Sequence, residues 1–441
     1  MKLGKLLCFL LIVIVLLPAC TSAPATEIVP TIAATQISST PVPTGTKTDT
    51  VLNPKRPPAC TFPLAQITAE ESTPEEYTFS EPQVVLTAPQ GNIYNIAEWL
   101  PDNQQVLMTE ELRKNAVNGK PALEAIELYN PETGESNLYA LRPITHELPL
   151  WQSELNAVIY PVINYTRLDE KTATIEFTRQ LWVSYGNSEA AQMLADNLSQ
   201  FPLAIKSDGS EALYLTDKKI SKLDNSLKKR SSVLFDPNQW DYSKERRDKN
   251  PVLYKMTWQP STSLVFLYSN GAMQGGGYTF ILDTNTGRVC ELNFGGWAEV
   301  ARWSSDGRYL AFIKSTRYAF PTYSADLTLL DTVTGNLITL NVIPQEIAKL
   351  HFVYDFVWAP DNRHLLAIGQ IYTSPDSQNE IGLYLIDFVS DRSVHVTPEY
   401  RFYTNTPHSM AWSPDGSKLV LRCPTMEIDQ ICFVSIQRKG R

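Results

Sequence analysis

Residues that announce chemistry are scarce in this chain. Its five histidines, His146, His351, His364, His395 and His408, show no spacing that would gather a metal, so no metal and no cofactor is expected. No G-x-S-x-G elbow, H-E-x-x-H helix, Walker A loop or EF-hand loop occurs, which removes the enzyme and ion-binding classes that local sequence reveals. Excess positive charge is also lacking: 38 Lys and Arg against 47 Asp and Glu leave a formal charge of -9. That balance excludes a nucleic-acid partner, which needs a basic face, and excludes capture by an anionic membrane surface through charge alone. Long apolar runs are missing too. The one candidate, Leu6 to Leu17, falls short of the roughly 20 residues of a permanent membrane span.

What is present at the start reads as an export signal. Lys2 and Lys5 precede the apolar run, which ends in Pro18-Ala19-Cys20, so residues 1–19 form a secretory signal. Leu17-Pro18-Ala19-Cys20 resembles the lipobox of bacterial lipoproteins, which implies cleavage before Cys20 and its acylation. The lipid bilayer is then a partner through Cys20, and more than one acyl chain gives stable retention. Residues 20–60 continue as a Thr-, Pro- and Ser-rich tether that cannot bury enough apolar surface to order itself. As a coil it spans on the order of 35 Å. A lead-in of residues 61–76 follows, and the expected location is the bacterial cell envelope.

From Tyr77 onward an internal repeat takes over. Its units align on Trp99, Trp151, Ile205, Trp258, Trp303, Trp358 and Trp412, in steps of 52, 54, 53, 45, 55 and 54 residues. A period near 50 with several strands per unit is a propeller pattern. In each unit an inner strand leads to the Trp, and Pro-Asp-Gly or Pro-Asp-Asn makes the turn, Gly or Asn tolerating the left-handed region. A second apolar strand such as Tyr309 to Ile313 follows. A third ends in a turn such as Leu330-Asp-Thr-Val-Thr-Gly335, and a fourth completes the unit. Recurrence in every unit marks the Trp as blade-to-blade core, not a binding array. By the same logic Asp102, Asp208, Asp306, Asp361 and Asp415 are turn formers before they are catalysts.

Trp412-Ser413-Pro414-Asp415-Gly416 and Trp303-Ser304-Ser305-Asp306-Gly307 resemble the W-S-P-D-G-x-x-L-A-F blade signature of the TolB-type (PD40) branch of the WD40-like β-propeller superfamily. The resemblance covers residues 77–441. It implies a fold and leaves activity open, because propellers host binding, scaffolding and several chemistries. The expected fold class is all-β: a seven-bladed β-propeller of four-stranded antiparallel blades, with six blades plus a degenerate one as the alternative. The last unit runs out of strands after Gln430 to Ser435, while Gln83-Val-Val-Leu-Thr87 lies unclaimed before the first. That N-terminal strand is expected to complete the last blade and remove the edge of an open array.

Cys8 leaves with the signal and Cys20 is acylated, which leaves four cysteines in an exported head, Cys60, Cys290, Cys423 and Cys432. Cys423 and Cys432 end one strand and begin its hairpin partner, so a disulfide is expected there. A bridge between Cys60 and Cys290 is not expected, since the fourth blade lies across the ring from the entry point. The Pro-Asp-Gly turns occupy one face of the ring and the longer connections the other. Those connections carry Trp240, Trp297, Arg317, Tyr318, Tyr323, Tyr372, Tyr400 and Tyr403, the candidate ligand-binding set. Aromatic and Arg side chains on loops over a rigid ring suit recognition of a protein, peptide or glycan. The expected function is therefore non-catalytic recognition or scaffolding by a membrane-anchored extracytoplasmic propeller. The competing reading is a glycan- or peptide-cleaving hydrolase or lyase, with acids converging in the central channel about 5 to 10 Å apart.

Overall fold

The computed structural model describes residues 57–65, 76–113, 122–145, 147–169, 174–186, 191–196, 198–206, 210–216, 219–224, 230–235, 252–270, 278–292, 297–315, 325–340, 342, 350–372, 380–396, 408–425 and 428–439. All of them belong to the compact unit Leu52–Arg441.

Alternating apolar residues and turn signals resolve into seven four-stranded antiparallel blades. Blade 1 runs from inside to outside as Ile93–Trp99, Val106–Leu112, Leu123–Tyr129 and Ser136–Pro143. The inner strands of blades 2 to 7 are Leu150–Gln152, Leu198–Ile205, Val252–Trp258, Trp297–Trp303, Leu350–Trp358 and Met410–Trp412. Inner strands of successive blades touch from blade 3 round to blade 7, blade 7 returns to blade 1 and blade 1 meets blade 2, while the inner strand of blade 3 contacts Thr174–Ser184 of blade 2.

The ring closes through the N-terminal side, as the unfinished last repeat implies. Blade 7 takes Lys418–Arg422 and Gln430–Lys439 from the C-terminal end, and its fourth position is filled by two short strands in line. Gln83–Thr87 pairs from Gln83↔Phe433 to Thr87↔Gln430, and Glu76–Phe79 from Glu76↔Lys439 to Phe79↔Ile436. Ser80 carries the ladder across the gap: its N–H donates to the Ser435 carbonyl at 2.9 Å, and the Ser435 N–H donates to Ser80 Oγ at 3.0 Å. Closure of this kind hides the hydrogen-bonding edge of Gln430–Lys439.

Seven buried clusters, one for each blade interface, replace a single core. Trp99 joins Tyr94 and Ile96 of blade 1 to Ala411 and Val420 of blade 7, and Trp303 packs blade 5 against Phe266 and Tyr268 of blade 4. A buried indole N–H needs an acceptor. Trp99 finds the Ala411 carbonyl at 2.8 Å, Trp303 that of Thr257 at 3.3 Å and Trp358 that of Arg302 at 3.0 Å. Each acceptor is the residue just before the repeat position of the preceding blade, so one residue type supplies both packing and an interblade hydrogen bond. Trp258 and Trp412 instead donate into their own turns, to the Thr262 and Gly416 carbonyls. Trp151 and Trp358 are half-buried against the same cores.

The turn aspartates act as capping acceptors. Asp102 takes the Gln104 N–H at 2.8 Å, Asp306 the Arg308 N–H at 3.0 Å and Asp415 the Ser417 N–H at 3.0 Å. Where Asn replaces Gly in the turn, its side chain clasps the neighbouring blade: Asn362 Oδ1 accepts from Ser305 N at 2.7 Å and Asn103 Oδ1 from Asp415 N at 2.9 Å. His364 does not face solvent, as its place beside a turn suggests. It is buried, with Nδ1 2.6 Å from Asp361 and Tyr77 of the closing segment packed edge-on against its ring.

Residues 57–65 strap the outside of blades 4 and 5. The Cys60 N–H donates to the Glu291 carbonyl at 3.0 Å, the Glu291 N–H to that of Pro58 at 2.8 Å, and the Leu64 N–H to that of Thr332 at 2.9 Å. Phe62 lies over Gly335, where an added Cβ would sit 2.5 Å from its ring. This route brings Cys60 to the outer strand of blade 4, where it is disulfide-bonded to Cys290. The distance across the ring is no obstacle, because the strap reaches blade 4 before the chain enters blade 7.

Candidate functional site

On the long-connection face, a cleft of about 240 Å³ opens at the head of blade 1, between blades 7 and 2. Three of its polar lining residues, Asn95, Glu147 and His408, stand four residues before the repeat tryptophans Trp99, Trp151 and Trp412. They occupy one structural position on three consecutive blades. The remaining polar lining comes from strand ends on the same face: Thr109, Glu111 and Arg113 from the second strand of blade 1, Glu124 from its third, and Arg422 from blade 7.

A bulge in the inner strand shapes the wall below. Pairing with the second strand shifts register between Ile96 and Glu98, which reverses the alternation of side chains. Trp99 consequently shares the blade 7 side with Tyr94 and Ile96. Glu98 turns toward blade 2 and accepts the Trp151 N–H at 2.9 Å. Similar shifts occur in the inner strands of blades 4, 5 and 6.

Most of the ionic groups around the cleft are paired with each other. Arg142 and Glu124 are both buried and meet at 3.0 Å; Arg142 also donates to the Pro161 carbonyl at 2.8 Å and to that of Glu147. Burial lowers the affinity of Arg142 for its proton, and the Glu124 charge opposes that loss. Arg113 meets Glu111 at 3.0 Å, and Arg422 meets Asp429 at 3.1 Å. Asp429 in turn accepts the Tyr94 N–H at 2.6 Å, which holds blade 1 to blade 7. Farther round the mouth, Asp355 is fully buried and joins three blades: Arg302 at 2.7 Å, the Phe356 N–H at 2.9 Å and the Ser409 N–H at 2.7 Å.

Glu147 and His408 differ from these. Among the described residues neither side chain has a hydrogen-bond partner, although the backbone of each is tied down. The Glu147 carbonyl accepts from Arg142 and from Thr145 Oγ1 at 3.4 Å. The His408 carbonyl accepts the Ile96 N–H at 3.0 Å, and the residue holds a left-handed φ of 65°. Burial pushes the Glu147 carboxyl up, against the pull of Lys255 and Arg142. Burial, then the charges of Lys255 and Arg302, pushes the His408 imidazole well below its ordinary range. Both groups are thus driven toward their uncharged forms.

A second cavity of about 250 Å³ lies at the opposite mouth, lined by Glu98, Trp99, Trp151, Lys206, Thr257 and Trp258 among others. Burial raises the Glu98 carboxyl to about 7, opposed by its hydrogen bond from Trp151.

Of the loop residues expected to bind, Trp240, Arg317, Tyr318, Tyr323, Tyr400 and Tyr403 lie outside the described residues, as does Cys20. Trp297 and Tyr372 are the first residue of the inner strand of blade 5 and the last of the second strand of blade 6, so their backbones reach the long-connection face. Cys423 and Cys432 are disulfide-bonded across the last hairpin, with Cα atoms 5.8 Å apart. Reading for loop aromatics passes over the cleft, whose lining comes from strand heads. The signal that finds it is the polar residue type four positions before the repeat Trp.

No protein-family model matches the chain, and no curated protein matches its sequence. Solved structures do. An oligogalacturonate lyase from Vibrio parahaemolyticus is 11% identical, with 82% of this chain and 98% of that one covered and a TM-score of 0.51. TolB from Acinetobacter baumannii is 13% identical over 78% of this chain and 79% of that one, with a TM-score of 0.37. The β-propeller domain of the Trilobed protease from Pyrococcus furiosus is 12% identical over 65% and 81%, with a TM-score of 0.41. Likeness at such identities is a likeness of fold.

Proposed function

We propose that this chain is an exported, lipid-anchored propeller of the bacterial envelope, and that its long-connection mouth recognises a polar partner chain, peptide or glycan, without cleaving it. The observation that carries the reading is the state of the charges around the cleft. Glu111, Glu124, Asp355 and Asp429 are each held by an arginine, which leaves Glu147 as the single acid around the cleft without a side-chain partner among the described residues. A hydrolytic pair needs one carboxylate free to act as base or nucleophile and another to give a proton. Acids committed to arginines serve better as a rigid, polar rim. Two disulfides in the head suit an oxidising compartment, in keeping with export ahead of Cys20.

Two measurements test it. Labelling of growing cells with a fatty-acid probe should mark the wild type and not Cys20→Ser, and the variant should leave the membrane fraction; retention of both label and membrane association overturns the anchor. Capture of envelope peptides and glycans by the immobilised chain should be lost in a Glu111→Ala, Arg113→Ala double substitution without a lower melting temperature. Undiminished capture moves recognition to another face.

A further inference from the structure

We infer that Glu147 and His408 are the ligand-contacting pair of the cleft and that they hydrogen-bond the hydroxyl groups of one neutral sugar residue. The inference rests on the recognition reading and narrows its partner from peptide or glycan to glycan.

The argument begins with what the cleft leaves unsatisfied. Glu111, Glu124 and Arg422 have their ion partners, and Asn95 spends its amide on Thr109 Oγ1 and Glu111 Oε1 at 3.5 and 3.4 Å. Glu147 and His408 remain. Polar side chains enclosed by protein and facing a cleft without partners are costly unless a ligand or water completes them. Both are also preorganised. Arg142, itself fully buried, grips the Glu147 carbonyl, while blade 1 grips that of His408 and Asp355 grips the next N–H. A left-handed φ at a non-glycine residue is retained only where its surroundings enforce it.

Charge then selects the ligand. A cationic group entering here approaches Arg113, Arg142, Lys255, Arg302 and Arg422. An anionic one approaches Glu111, Glu124, Asp355 and Asp429. Neither finds an uncommitted counter-charge in the couple, because Glu147 already lies under the charges of Lys255 and Arg142, and His408 under those of Lys255 and Arg302. A carboxyl group accepts through its oxygens, and a neutral imidazole both donates and accepts through its two nitrogens. Hydroxyl groups are the ligand atoms that match both roles. The volume of about 240 Å³ is below the roughly 300–1,000 Å³ of a pocket for a drug-sized molecule, so it takes one monomer of a chain.

The test is titration calorimetry of the full chain with three probe sets: neutral oligosaccharides (chitotriose, cellotriose and maltotriose), uronate-bearing trisaccharides, and tripeptides with either charge. At least one neutral oligosaccharide should bind. Glu147→Gln, which keeps a side-chain oxygen to accept from a hydroxyl, should hold Kd within about threefold. Glu147→Ala, and His408→Asn, which tolerates the left-handed backbone, should each weaken it about tenfold or more with the circular dichroism unchanged. Loss of binding in Glu147→Gln equal to that in Glu147→Ala, or cleft-dependent binding confined to uronates or peptides, overturns the sugar assignment and leaves the recognition reading standing. Absence of binding by all three sets, or binding indifferent to Glu111→Ala, Glu147→Ala and His408→Asn alike, overturns both.

Discussion

Glu98 should make the propeller less stable as pH rises. Its carboxyl, turned toward blade 2 by the bulge in the inner strand, is raised by burial from 4.5 to about 7 in the folded protein. Between those values the folded chain holds a proton that the unfolded chain has released. Stability is therefore full below pH 4.5, falls through the window between 4.5 and 7, and is lowest above it. A shift of that size corresponds to about 3 kcal/mol at 1.36 kcal/mol per unit. Water in the adjoining cavity screens part of it, so about 2 kcal/mol is a fair expectation. Glu98→Gln keeps an oxygen to accept the Trp151 N–H and removes the ionisation. Urea unfolding followed by tryptophan fluorescence, run from pH 4 to pH 8 on wild type and variant, reads the difference directly. The two midpoints should coincide near pH 4 and separate steadily toward pH 8, with the variant the more stable. A constant gap across the range, or a wild type that gains on the variant as pH rises, would refute the assignment of Glu98 as the group that loses stability on ionising.

Arg142→Met strands Glu124 in the interior and should cost about 3–5 kcal/mol, most of it restored by adding Glu124→Leu; a calorimetric double-mutant cycle with additive effects contradicts the coupling. Deleting residues 76–87 exposes the edge of Gln430–Lys439, so the head should self-associate on gel filtration and lose its single melting transition, whereas a monomer with normal melting contradicts closure by those strands. Cys60→Ser with Cys290→Ser opens a link spanning 230 residues, for which loop entropy predicts a loss of up to about 5 kcal/mol, measurable as a urea midpoint below that of unreduced wild type; equal midpoints contradict a stabilising strap. Trp99→Phe forfeits the hydrogen bond to the Ala411 carbonyl across the closing interface and should lower stability by about 1–3 kcal/mol; an unchanged midpoint removes that bond from the stabilising set.

The ring was legible because its physics is periodic. A Trp that must pack between blades and find an acceptor on the preceding blade recurs with the blade, and Trp99, Trp303 and Trp358 all do both. The closing strand was legible by subtraction, since blade 7 lacks a fourth strand and Gln83–Thr87 has no other place. The division of that strand in two was not, because the alternation of Glu76–Phe79 lasts only four residues and is recruited by the long reach of Gln430–Lys439. The strap was illegible for a similar reason: Pro58 to Leu64 has no strand periodicity and docks by three backbone bonds, an aromatic ring over Gly335 and a disulfide, none of which leaves a sequence spacing.

The cleft went unread for a different reason. Function on a propeller is sought in what departs from the repeat, and the irregular connections drew attention to aromatic residues such as Tyr318 and Tyr400. The unpaired groups sit inside the repeat, at the position four before the tryptophan, where the inner strand meets the mouth. That position varies from blade to blade: Tyr354 packs against the core between blades 6 and 7, whereas the chain reads Asn95, Glu147 and His408 on the three neighbouring blades that line the cleft. Structural constraint and functional freedom thus alternate along a single strand. The tryptophan end of each inner strand is held by the adjoining blade, and the opposite end answers to whatever enters the mouth. On that logic, exchanging Asn95 with Glu147, and replacing His408 by Asn, which tolerates its left-handed backbone, should alter which ligand binds and leave the melting temperature within about 2 °C, because none of the three side chains takes part in an interblade core. A large drop in melting temperature in those exchanges would show that the mouth is part of the scaffold after all.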